Sequence, residues 1–74
     1  MDTQINTRLI GMTIKQLRLS RNWTQEDLAN RVFYSVRNIR RIENEGTGSI
    51  EVVNTFASIF EISAMDILKD VLLI

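Results

Sequence analysis

Residues 24–43, TQEDLANRVFYSVRNIRRIE, constrain the fold of this chain more than any other stretch. They divide into two short helical patterns joined by a turn. Each half opens on a hydroxyl residue suited to an N-cap, Thr24 for the first and Ser35 for the second. In the first half Leu28, Ala29 and Val32 share one face, and Gln25, Glu26, Asn30 and Arg31 are left to solvent. Ala29 is small enough to let a second helix cross close by, as two helices joined at a steep angle by a short turn require. In the second half Ile39 and Ile42 face inward, while Arg37, Asn38, Arg40, Arg41 and Asn44 make a cationic, amide-bearing outer face.

The rest of the chain reads as support for these two helices. Residues 1–6 have no periodicity and are expected to be a flexible arm, leaving 7–74 as the single folded domain. From Thr7 to Ser20, Ile10, Ile14 and Leu17 recur at helical spacing and mark one buried stripe, with Arg18 beside it. Asn22 suits a left-handed cap after that helix. Trp23 is read as a core lid under the two central helices, the alternative being an exposed ring for stacking on bases. Ser49 can cap a fourth helix whose wide apolar face comprises Val52, Val53, Phe56, Ala57 and Phe60. Ser63 and Asp66 have the spacing of a capping box, predicting a fifth helix from Ala64 to about Val71. The chain then ends on Val71, Leu72, Leu73 and Ile74, an apolar run that either folds back on the core or meets a second copy.

Length and composition narrow the function. At 74 residues this is one small domain. It has no cysteine and no histidine, so the commonest metal ligands, the commonest general base and any disulfide are missing. Neither a nucleophile paired with a base nor a glycine-rich phosphate loop can be found, and the expectation is a protein that is not an enzyme and needs no cofactor or metal. The formal net charge is zero, but it is unevenly spread. From Arg8 to Arg41 eight basic residues face two acidic ones, a net +6, whereas from Ile42 onward six acidic residues face one lysine, a net −5. The positive half contains the cationic helix face. No stretch is long and apolar enough to span a membrane and the start lacks a signal-peptide order, so a cytoplasmic location is expected.

The pattern Gln25, Leu28-Ala29, Val32, Tyr34-Ser35, Ile39 and Ile42-Glu43 resembles the helix-turn-helix of the Cro and phage-repressor type transcription factors. The resemblance runs from Ile10 to Leu68 and takes in Arg18 on the first helix and Ala57 on the fourth. It implies an all-α, compact five-helix bundle of the lambda-repressor-like DNA-binding type, with the helix-turn-helix at helices 2 and 3. It also implies a structural ion pair between Arg18 and Glu43. One position and one loop depart from the pattern. The turn residue is usually glycine in that family and here is Phe33, so either the turn takes another shape or Phe33 is strained. The loop from Glu45 to Ser49 carries none of the lysines or arginines that often clamp phosphate, leaving backbone N–H groups and the hydroxyls of Thr47 and Ser49.

What the resemblance implies for function is double-stranded DNA binding. The helix opened by Ser35 would enter the major groove, with Val36, Arg37 and Arg41 toward base edges and Asn38 and Arg40 nearer phosphate. Gln25 would bond a phosphate at the start of the preceding helix, with Asn44 as a second anchor. One such helix contacts few base pairs, so a homodimer on a near-palindromic operator is expected, with Leu68, Leu72, Leu73 and Ile74 as the candidate dimer interface. Two alternatives stand beside this. One is a protein-interaction module such as an antitoxin, with a protein partner; the other is the N-terminal DNA-binding domain of a longer ligand-sensing regulator.

Overall fold

The computed structural model describes residues 4–69 and 72–73 of the chain. Five helices follow one another: α1 (Thr7–Ser20), α2 (Gln25–Val32), α3 (Val36–Glu45), α4 (Ile50–Phe60) and α5 (Ala64–Leu68). They are flanked by two very short strands, β1 (Gln4–Ile5) and β2 (Leu72–Leu73).

Every helix begins on a polar side chain that closes its first turn, the reason each starts where it does. Asn6, Thr24, Ser35, Ser49 and Ser63 each accept a hydrogen bond from the backbone N–H three residues on. In α2 and α5 the cap is reciprocal: Asp27 and Asp66 reach back to the backbone N–H of Thr24 and Ser63 at 2.9 and 3.1 Å. The ends of α1 to α4 are followed by residues of positive φ. Asn22, Phe33 and Glu61 have φ near +60°, and Gly46 after α3 has φ +82°.

The core lies where the apolar stripes converge. Ile10 and Ile14 of α1, Leu28, Ala29 and Val32 of α2, and Ile39 and Ile42 of α3 are all buried. Val53, Phe56, Ala57 and Phe60 of α4, with Ile67 of α5, complete it. Leu17 is only half-buried, whereas Arg18 beside it is buried. Trp23 stacks on Phe60 with ring centroids 5.7 Å apart, and Tyr34 meets Phe56 edge-on at 5.8 Å. Trp23 is therefore part of the core lid and not a free platform.

α1 and α3 approach closely because Gly11 has no side chain. A Cβ there would stand 2.3 Å from the carbonyl oxygen of Ile42, so only glycine lets the first helix lie against the end of the third.

The chain departs from the expectation at both ends. Gln4 and Ile5 pair antiparallel with Leu73 and Leu72, where the lack of periodicity in residues 1–6 predicts a free arm. α5 stops at Leu68 rather than near Val71, and the chain re-emerges as β2. Pairing satisfies N–H and C=O groups that a frayed end would leave to water. Residues 1–3, Asp70, Val71 and Ile74 lie outside the described residues.

Candidate nucleic-acid interface

The turn between α2 and α3 decides how α3 is presented. Phe33 adopts φ 60°, ψ 37°, and its N–H and that of Tyr34 both reach the carbonyl of Ala29, the latter at 3.0 Å. Of the two shapes open to this turn, the left-handed one is therefore adopted, with an aromatic residue in place of glycine. The ring is 94% exposed, so no packing offsets the backbone strain. Two residues later the Ser35 hydroxyl accepts the N–H of Asn38 at 3.0 Å and α3 begins.

α3 is then fixed from behind by a buried polar lock. Arg18 Nε donates to Glu43 Oε2 at 2.6 Å and Arg18 Nη2 to Glu43 Oε1 at 3.1 Å, a bidentate pair. Arg18 Nη1 also donates to the carbonyl of Trp23 at 2.8 Å. Glu43 Oε1 accepts a further bond from Gln25 Nε2 at 3.1 Å. One carboxylate thus ties α1, α2 and α3 together, and the angle between the two central helices is held by hydrogen bonds as well as by packing. No buried side-chain polar atom is left without a partner among the described residues.

With Ile39, Ile42 and Glu43 turned inward, the opposite side of α3 faces solvent. Arg37, Arg40, Arg41 and Asn44 are exposed, and Val36 and Asn38 are half-buried. Ser35, Arg37, Asn38, Arg40, Arg41 and Asn44 surround one open concavity, which brings together all the outward residues of α3 singled out from sequence except Val36. Val36 leans on the core instead. Gln25 stands at the first position of α2, half-buried, with its amide nitrogen engaged by Glu43.

Two features of this face escape the sequence reading. Arg41 Nη2 donates to Asn38 Oδ1 at 2.8 Å, although the i, i+3 spacing alone permits such a pair. Glu45 lines the same concavity, and a second hollow beside it is shared by Tyr34, Asn38, Arg41, Glu45 and Thr47. A carboxylate among arginines is visible in the sequence, but its place on this side depends on α3 running on to Glu45. Of the residues expected at a dimer interface, Leu68 is half-buried against the core, Leu72 and Leu73 pair with β1 through their backbone, and Ile74 lies outside the described residues. Among the described residues no helix is long and apolar enough to cross a membrane.

Comparison with known proteins agrees with this architecture. The sequence profile of the helix-turn-helix family matches residues 14–67. No curated protein matches the sequence. Among solved structures, the fold is similar to the clp gene regulator ClgR from C. glutamicum, with a TM-score of 0.79 at 18% identity over 90% of this chain and 88% of that one. It is also similar to the restriction-modification controller protein C.AhdI from Aeromonas hydrophila, with a TM-score of 0.73 at 18% identity over 82% and 94% of the two chains. A third similar structure is the restriction-modification controller protein C.Esp1396I, a tetramer in complex with its natural 35 base-pair operator; the TM-score is 0.75 at 25% identity, over 90% of each chain. The profile covers well over half of the sequence and includes α2, the turn and α3 in full, so the chain belongs to the helix-turn-helix family of Cro and phage-repressor type transcriptional regulators.

Proposed function

We propose that this chain binds double-stranded DNA sequence-specifically as a homodimer on a near-palindromic operator and regulates transcription from that site in the cytoplasm. The observation that carries the reading is the outward face of α3: three arginines and two asparagines on a helix held against α1 by a buried ion pair and to α2 by the Gln25 bond to the same carboxylate. Such a helix fits the major groove, where Arg37 and Arg41 can offer bidentate bonds to guanine and the part of Val36 not packed on the core an apolar contact to a thymine methyl. Arg40 and Asn44 flank that line and would anchor phosphate. The similar controller protein solved with its operator supports DNA as the partner.

Gln25 takes a narrower role than a free side chain would. With one amide hydrogen given to Glu43, the other remains for a phosphate at the N-terminus of α2, so the contact would arrive already oriented. Dimerisation would draw on α5, where Met65 is exposed and Leu68 half-buried, together with the apolar end of the chain.

Selection of bound duplexes from a random DNA pool, with an Arg37→Ala, Arg41→Ala double variant alongside, tests the reading. The expected result is an enriched inverted repeat that the variant no longer selects. If no sequence is enriched even at low salt, where phosphate contacts are strongest, the reading fails and a protein partner becomes the better account.

A further inference from the structure

Arg41 stands within one helical turn of two possible partners. Asn38 lies three residues before it and Glu45 four after, and all three line both the outward concavity of α3 and the hollow beside it. A guanidinium with a carboxylate at i+4 is ordinarily drawn to it, although the basic-then-acidic order is the weaker one on a helix. Here Arg41 Nη2 donates to Asn38 Oδ1 at 2.8 Å, and among the described residues Arg41 and Glu45 form no ion pair. The backbone at Asn38 is fixed, because its N–H donates to the Ser35 hydroxyl at 3.0 Å, and the amide side chain projects from that point. The guanidinium is therefore drawn toward the N-terminal end of α3, the end that enters a major groove first.

Resting on the DNA-reading role given to α3 above, we propose that Asn38 is a positioning residue for base recognition. Its amide oxygen aims the Arg41 fork toward the base edges and keeps it out of reach of Glu45. A guanidinium has five donors, so one bond to Asn38 leaves a pair free for O6 and N7 of a guanine. A neutral amide suits position 38, because a carboxylate there would orient Arg41 equally well but would offset its charge and repel the phosphates. Specificity at the base pair read by Arg41 then depends on a side chain that does not itself touch that base.

The test is random-duplex selection with the full chain, comparing wild type, Arg41→Ala, Asn38→Ala and the Asn38→Ala, Glu45→Gln double variant, each first checked by circular dichroism for an unchanged fold. Asn38→Ala is expected to lose about tenfold of the base preference at one position, the same position lost in Arg41→Ala. Preference at other positions should be kept, and the loss at this one position should exceed any change in affinity for random-sequence duplex. Adding Glu45→Gln removes the competing carboxylate and should restore most of the lost preference, an effect that a merely structural role for Asn38 would not produce. An Asn38→Ala variant that binds every duplex more weakly but selects the wild-type sequence makes Asn38 a phosphate contact and overturns the proposal alone. So does a double variant with no recovery. A wild-type chain that enriches no sequence overturns the DNA reading and this proposal with it.

Discussion

Arg18 and Glu43, twenty-five residues apart in sequence, form a bidentate ion pair whose side chains are 8% and 1% exposed, and it joins the first helix to the third. Glu43 is thereby the point at which α1, α2 and α3 meet, since Gln25 bonds the same carboxylate. Removing it leaves a guanidinium buried beside only the Trp23 carbonyl. Loss of one partner of such a pair costs about 3–5 kcal/mol. A domain this small has a total stability of roughly 4–11 kcal/mol, at about 0.05–0.15 kcal/mol per residue. Glu43→Ala should therefore unfold far more readily in urea than wild type, as followed by Trp23 fluorescence. An Arg18→Met, Glu43→Leu double variant should be less destabilised than either single loss, because it leaves no unpaired charge inside.

Phe33 is the opposite case, a residue whose replacement should stabilise. A left-handed conformation costs a side-chain-bearing residue about 1–2 kcal/mol, and the exposed ring returns little through packing. Glycine removes that strain but adds about 0.5–1 kcal/mol of unfolded-state entropy to be overcome. Phe33→Gly is expected to gain about 0.5–1 kcal/mol, and Phe33→Val, β-branched at the same φ, to lose stability. Urea midpoints of the three proteins, compared at equal m-values, decide the matter.

These two sites also mark how far the sequence can be read. The helices and their caps are legible because Thr24, Ser35, Ser49, Ser63 and the apolar spacing between them act locally, within one or two turns. The burial of Ile10, Ile14, Ile39 and Phe56 follows from the same periodicity. Phe33 marks the turn as unusual, yet nothing local decides between a different turn and a strained one; that depends on how α2 and α3 pack. The bond from Gln25 to Glu43 is hidden for a similar reason, since it joins residues eighteen apart that meet only after α2 and α3 cross. The pairing of Gln4–Ile5 with Leu72–Leu73 is the longest-range relationship among the described residues and leaves no periodic trace in strands of two residues.

The close approach of α1 to the end of α3 yields a third prediction. Gly11 faces the carbonyl oxygens of Ile42 and Glu43, and an added methyl would stand 2.3 and 3.0 Å from them. Both are backbone atoms at the end of a packed helix, so relief requires α1 to move away. Overpacking of this kind costs about 1–3 kcal/mol. Gly11→Ala should lower the thermal midpoint despite alanine's better helix propensity. Gly46→Ala should be worse, because its methyl would fall 1.6 Å from the Thr7 carbonyl oxygen at a φ of +82°. Calorimetry of the two variants would reveal the order.

Asp27 gives a pH dependence with a definite sign. The Thr24 backbone N–H and then the Thr24 hydroxyl hold its carboxyl below the ordinary aspartate value. A carboxylate with a lowered folded-state value stabilises the fold above its unfolded value, about 3.9, and that contribution is lost as pH falls through the folded value. Stability should be insensitive to this group near neutral pH and decline below about pH 4. Asp27→Asn cannot be protonated, so its stability curve should be flatter than wild type in that acid range. Urea unfolding at a series of pH values supplies the comparison.

The last prediction separates charge that reads from charge that anchors. With a formal net charge of zero, the chain has no overall attraction for a polyanion, so affinity must come from the basic half that presents α3. Each phosphate contact releases counterions, and losing one flattens the dependence of log K on log salt by about one. Arg40, at the flank of the exposed face, is expected to behave this way: Arg40→Ala should weaken binding to all duplexes alike and reduce the salt slope by about one. Arg37 lies on the centre line of that face in the first turn of α3, the end that contacts base edges. Arg37→Ala should instead cost about 1–3 kcal/mol on the preferred site and relax selectivity at a single base pair. Fluorescence anisotropy on specific and random duplexes across a salt series distinguishes the two. If Arg40→Ala loses selectivity and Arg37→Ala loses only salt slope, α3 lies in the groove rotated about its own axis from the orientation proposed above.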